Sequence, residues 1–265
     1  MNSHEIDFQI FGEEMQYVEI ELDPYETVIA EAGSFMMMDS EIKMATIFGD
    51  GSHQESKGGI WDKVLTAGKR LITGESLFLT AFTHGGTGKK KVSFASPYPG
   101  KIIPLDLSNY EGKIVCQKDA FLCAAKGVHV GIDFSQKLGR GLFGGEGFIM
   151  QKLEGDGMAF VHAGGHVTKK ELAIGEALLV DTGCLVALTR DVHYDIEMVK
   201  GIRNIFFGGE GLFYARLEGP GTVWIQTLPF SRLAQRVFSA APQTGGGGRD
   251  EGSILGGLGN LLDGR

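Results

Sequence analysis

The chain has 265 residues, 43% of them apolar, with 33 acidic against 25 basic side chains and a net charge of −8. That length supplies a core for one large domain or two to three small ones, and the acidic balance opposes general attraction to nucleic acid or to an anionic membrane surface. Glycine is the outlier at 41 residues, about twice the average usage of ~7% and without a collagen period, which predicts many tight turns between short strands.

In chain order, residues 1–24 carry acidic side chains where a secretory leader needs a basic start and an apolar run. Strands are predicted at YVEIEL (17–22), SLFLTAF (76–82), KVSFAS (91–96), GMAFVHA (157–163), ALLVDTG (177–183) and TVWIQT (222–227), from apolar alternation broken by Gly, Asp and Asn. The polar, glycine-rich start of FGDGSHQESKGGIWDKVLTAGK (48–69) reads as a surface loop. No long amphipathic helix is predicted before residue 230. SRLAQRVFSAAP (231–242) reads as a short helix, QTGGGGRDEG (243–252) as a flexible linker, and the glycine-interrupted leucines after it as the end of a mobile tail. No stretch of eighteen or more apolar residues occurs, so the expectation is a cytoplasmic, non-spanning protein, with peripheral membrane association left open. Cys116, Cys123 and Cys184 show no C-x-x-C spacing and read as small buried hydrophobes.

The sequence also repeats itself. FGGEGFIMQKLEGDG (143–157) lies over FGGEGLFYARLEGPG (207–221) at an offset of 64, and the same offset lays FLCAAKGVHVGI (121–132) over LVALTRDVHYDI (185–196). A third, more divergent copy carries ITGESLFLTAF (72–82) and LDPYETVIAEAGSFMMM (22–38) at the corresponding places. Gly33 and Gly74 stand 41 positions apart, against 26 for Gly183 and Gly209, which places an insertion near 48–69 in the first copy. The expected fold is all-β: three repeated units, β-sandwich or double-stranded β-helix in kind, in a pseudo-threefold arrangement. The units are 1–105, 106–168 and 169–230, followed by a short helix and flexible tail over 231–265.

AEAGSFMMMDSEIKMAT (30–46), the Gly-Glu strand start and the paired FGGEG copies resemble the bacterial relatives of the mitochondrial-inheritance (AIM-type) family. The resemblance covers about residues 5–230. It implies a fold similar to the tryptophan RNA-binding attenuator protein, with β-units repeated in one chain, and it implies no established reaction. No run matches that protein's basic RNA-contact triad, so RNA binding is not carried over.

Gly139, Gly141 and Gly144 fit G-x-G-x-x-G, the turn that cradles a pyrophosphate when a strand precedes it and a helix follows. Here a strand pattern follows, and the equivalent copy, Phe206-Phe207-Gly208-Gly209-Glu210, lacks the G-x-G start. The repeated feature is Gly-Gly-Glu-Gly at a strand entrance, and no cofactor is expected. Glu75, Glu146 and Glu210 recur there; around a common axis they would bind a hard cation, and otherwise each bonds its own turn. His162 and His166 in FVHAGGHVT would share a face if one strand ran through both, giving a candidate metal site, with hydrogen-bonded or surface histidines as the ordinary reading. Phe35-Met36-Met37-Met38 reads as core packing with one face at an interface. Lys69, Arg70, Lys137, Arg140, Lys200 and Arg203 precede the Gly-Glu turns and read as solvated loop charge. No catalytic residue or nucleophile signature is found. The reading is a non-enzymatic scaffold or interaction protein with protein partners and self-association. The alternative is a cupin-like small-ligand or metal-binding protein with the possibility of catalysis.

Overall fold

Period-two alternation lays most of the described residues out as strands. In Tyr17–Leu22, Val18, Ile20 and Leu22 are buried and the residues between them face partly outward. The computed structural model describes residues 3–31, 33–48, 78–136, 148–198 and 213–240. Its strands run β1 (Asp7–Phe11), β2 (Tyr17–Leu22), β3 (Thr27–Glu31), β4 (Phe35–Met38), β5 (Ile42–Phe48), β6 (Phe78–His84) and β7 (Lys90–Ala95). There follow β8 (Gly100–Asp106), β9 (Lys113–Gln117), β10 (Phe121–Ala125), β11 (His129–Gln136), β12 (Phe148–Glu154) and β13 (Met158–Gly164). The last six are β14 (Val167–Leu172), β15 (Ala177–Asp181), β16 (Leu185–Thr189), β17 (His193–Met198), β18 (Phe213–Glu218) and β19 (Gly221–Gln226). One α-helix, α1 (Phe230–Ala240), is described. The protein is all-β, as its composition predicts.

The strands form four sheets with orders β1-β2-β7-β4, β5-β6-β3-β10-β13-β8, β11-β12-β9-β16-β19-β14 and β15-β18-β17. One hydrogen-bonding order runs through them. The pairings β2-β7-β4 and β5-β6-β3 have counterparts in β8-β13-β10 and β11-β12-β9, and again in β14-β19-β16 and β17-β18-β15. Two further pairings make the seams between neighbouring sets, β3 with β10 and β9 with β16. The register at both seams is alike, Ala30 opposite Cys123 and Cys116 opposite Ala187.

Three apolar clusters fill the spaces between sheets. Val18, Ile20, Phe82 and Phe94 belong to the first, Leu105, Ile114 and Val161 to the second, and Phe148, Leu185 and Leu217 to the third. Each such side chain, fully removed from water, contributes about 1.5–3 kcal/mol. Strands at the seams are covered on both faces, which is why Phe121–Ala125 reads as an unbroken apolar run and is buried throughout. Residues through Leu233 make one compact unit and Ala234 onward a second. Of the second, the end of α1 is described, with Val237 and Phe238 exposed.

Candidate functional site

Of the histidines picked out by spacing, His162 lies on β13 and is 2% exposed, whereas His166 stands in the turn before β14 with its side chain in solvent. The backbone N–H of His166 donates to Thr227 Oγ1 at 2.9 Å. β13 ends at Gly164 and the chain turns at Gly165, whose φ is +67°, so a single strand does not carry both rings. Among the described residues no group of three His, Cys, Asp or Glu is placed to hold a metal ion. Glu75, Glu146, Glu210, the glycine-rich 139–147 stretch and the six basic residues before the Gly-Glu turns lie outside the described residues.

The structure instead builds a site around His162 from residues that sequence spacing does not connect. The β3–β10 seam brings Glu31, the last residue of β3, beside Phe121 and Leu122 at the start of β10. β13 pairs with β10 on one side and with β8 on the other, which sets His162 next to Tyr98, just before β8. The tyrosine ring stands edge-on to the imidazole, 4.4 Å between centroids at 85°, and Phe230 of α1 lies against Tyr98 at 5.4 Å. With Gly33, Ser34, Pro97 and Asp119 these residues line a cavity of about 280 Å³. Two glycines let the rings pack close against the backbone: a Cβ on Gly100 would stand 2.7 Å from His162 Nε2, and one on Gly164 would stand 2.7 Å from Tyr98 Cε2.

Burial and charge shape the cavity's chemistry. Both ring nitrogens of His162 are sealed from water, and neither makes a well-formed side-chain hydrogen bond. Desolvation lowers the imidazole pKa to about 4, opposed in part by a hydrogen bond with the Tyr98 backbone, so the ring is neutral at pH 7. Desolvation also pushes Glu31 up to about 7, with the Asp119 charge adding to it and Lys118 opposing. Tyr98 is pushed up to about 12 by the same two causes, burial first and then Asp119. Ser34 Oγ donates to the Glu31 carbonyl at 2.9 Å, fixing the backbone beneath the carboxylate.

The counterpart of His162 is held differently. His162 is opposite Ile102 on β8, and Gln226 is opposite Val167 on β14, the same position in the recurring order. Gln226 Nε2 donates to the Gly183 carbonyl at 2.8 Å, and its Oε1 accepts from Gly164 N–H at 2.7 Å. Three residues before Val167 stands Gly164, a donor; three before Ile102 stands Pro99, which has no N–H to offer. The glutamine closes its site with two bonds to the protein's own backbone, whereas the histidine ring is sealed inside the fold against the β8 backbone at Gly100.

A second feature lies at the sheet edges. β4 and β15 hold the positions that β10 and β9 hold at the seams, and neither has a seam partner among the described residues. Phe35, Met36 and Met37 are 40%, 48% and 43% exposed, where Phe121, Leu122 and Cys123 are buried. Leu179 on β15 is 59% exposed, where Val115 on β9 is 2%. The Phe35–Met38 run is therefore not core: Met38 packs inward and the other three face out. Phe35 still stacks at 5.4 Å on the buried Phe82.

The profile of the family described as mitochondrial biogenesis AIM24 matches residues 8–228. The chain belongs to the AIM24 family. An uncharacterised protein of Streptococcus pyogenes serotype M6 is 29% identical over 220 residues, which is 82% of this chain and 83% of that one. A crystal structure of another S. pyogenes protein, SPYM3_0169, superposes with a TM-score of 0.68 over 89% of this chain and 100% of its own, at 24% identity. That likeness concerns the fold. The match to AIM24 spans every described strand except the first residue of β1, so both free edges and every cavity residue except Phe230 lie within the matched region. No helix among the described residues is long and apolar enough to cross a membrane.

Proposed function

We propose that the protein is a non-enzymatic interaction scaffold that self-associates by pairing β15 of one copy with β4 of another. The observation that carries this reading is the difference in burial between equivalent strands. β9 and β10 are covered because a seam partner lies beside them, while β15 and β4 present Leu179 and Phe35-Met36-Met37 to water. Open edges with exposed apolar side chains are sites where sheets add strands. The register follows from the seams already present: Val115 is opposite Leu188 and Ile29 opposite Ala124, so Leu179 falls opposite Met38. Because the two edges differ, the contact is head-to-tail and builds rings or filaments.

The test mixes two single variants, Leu179→Cys and Met38→Cys, under mild oxidation. A cross-linked pair containing one of each supports the pairing, since cross-strand Cβ atoms lie about 4.5–5.5 Å apart. A double variant that closes its disulfide within one chain, or a mixture that stays uncross-linked, overturns it. The metal-binding form of the cupin-like alternative has no support among the described residues, where His162 and His166 are separated by a turn.

A further inference from the structure

Residues 3–6 lie across one end of the β3–β10 seam, and the fold makes room for them. A Cβ on Gly127 would stand 2.6 Å from Ser3 Cα, and one on Gly157 would stand 2.5 Å from Ser3 Cβ. Gly127 also has a φ of +108°, which side chains disfavour. Ser3 N–H donates to Asp156 Oδ1 at 2.8 Å in the β12–β13 turn, and His4 N–H donates to the Lys126 carbonyl at 2.9 Å in the β10–β11 turn. Ile6 is buried in the first apolar cluster. The same end of the other seam is closed without such a segment. There Arg190, the counterpart of Lys126 at an offset of 64, reaches Glu111 directly at 3.4 Å.

One contact of this strap depends on a proton. The Thr27 N–H, at the buried start of β3, donates to His4 Nδ1 at 2.9 Å. A backbone N–H can only donate, so Nδ1 carries no proton and the ring is neutral while this bond exists. Protonation sets one N–H against another and ends the bond. Burial opposes the charged ring most, the facing Lys126 ammonium opposes it further and the Glu26 carboxylate favours it, which together hold the pKa below the ordinary histidine value. At the neighbouring Ser3, the backbone bond holds Asp156 below the usual carboxylate range, so that anchor keeps its charge across the histidine range. We propose that residues 3–6 are a pH-operated latch on the β3–β10 seam, closed while His4 Nδ1 accepts from Thr27 and released when that nitrogen takes a proton.

Closure is fully favoured above about 6.5 and weakens as pH falls, since the closed form binds the proton less readily than the open one. The opening is local: it frees the Gly127–Gly157 cleft and the Thr27 N–H while the sheets stay paired. Neither β4 nor β15 takes part, so the latch stands or falls apart from the edge pairing. Amide exchange of the full chain, followed by NMR from about pH 7.5 to about pH 4.5 and corrected for the intrinsic rate, reads it at Thr27. Protection of Thr27 is expected to fall about tenfold relative to Ile225, a β19 residue paired on both sides. His4→Asn keeps an acceptor that does not titrate and should hold Thr27 protected at every pH. His4→Leu should leave it unprotected at every pH, with cooperative unfolding retained. Thr27 protection that tracks Ile225 throughout, an equal fall in His4→Asn, or full protection in His4→Leu would each overturn the latch.

Discussion

His162 and Gln226 occupy one register position, opposite Ile102 on β8 and Val167 on β14, and the glutamine has both ends of its amide bonded while neither nitrogen of the histidine makes a well-formed side-chain hydrogen bond. Equivalent places in the same strand order thus carry a doubly bonded amide in one instance and a sealed, desolvated imidazole in the other.

The two positions should respond oppositely to apolar replacement. Gln226→Leu strands the buried Gly164 N–H and Gly183 carbonyl, and is expected to cost about 2–4 kcal/mol. His162→Leu removes two buried polar atoms that make no well-formed side-chain hydrogen bond, and is expected to leave stability within about 1 kcal/mol or raise it. Urea unfolding of the two variants beside the parent chain checks both. A large loss for His162→Leu would mean that the imidazole is bonded in solution.

Stability should depend on pH through two groups of opposite sign. The folded Glu31 holds its proton up to about 7, above its unfolded value, so its contribution is present below about 4.5 and is lost as pH rises to 7. The folded His162 resists protonation down to about 4, so its contribution is complete above about 6.5 and is lost as pH falls to 4. Between pH 4.5 and 6.5 the two slopes offset each other. Glu31→Gln should therefore show a stability that rises with pH across this window, and His162→Leu one that falls. Urea midpoints measured at half-unit intervals give the signs directly.

Met36 and Leu122 are each the second residue of equivalent strands, one 48% exposed and the other 2%. Leu122→Asp buries a charge between two packed sheets and should cost more than about 3 kcal/mol, enough to prevent folding in many backgrounds. Met36→Asp should change folding stability by no more than about 0.5 kcal/mol. The same exposed-strand variant should lower the mass measured by light scattering if β4 is a contact between copies.

Cys116 and Cys123 are fully buried, and burial holds both thiols well above the ordinary range, with the Glu31 charge adding to the effect at Cys116. Neither should react with a thiol-specific reagent in the folded protein, because the thiolate is the reactive form. All three cysteines should react in urea. Release of chromophore from Ellman's reagent, followed in both conditions, counts them.

Much of the architecture is legible in the one-dimensional pattern. Alternation such as Val18, Ile20 and Leu22 is a property of consecutive residues, so strands and their facing could be read locally. The FGGEG and VH correspondences at an offset of 64 likewise needed no coordinates. His162 was within reach for a different reason, as one of a spaced pair, although the turn at Gly165 separates it from the His166 that made it noticeable. Glu31, Tyr98, Asp119 and Phe230 gave no such signal. They are brought together by the β3–β10 seam, by β8 and β13 pairing, and by the first turn of α1, contacts between residues tens to hundreds of positions apart. The Met36 environment could not be read either, since an apolar strand residue looks the same whether a neighbouring strand covers it or not. Sequence determines which face of a strand is apolar, because side chains alternate along it; the tertiary structure alone decides which of those faces and edges find a partner, because coverage depends on long-range pairing that no local pattern encodes.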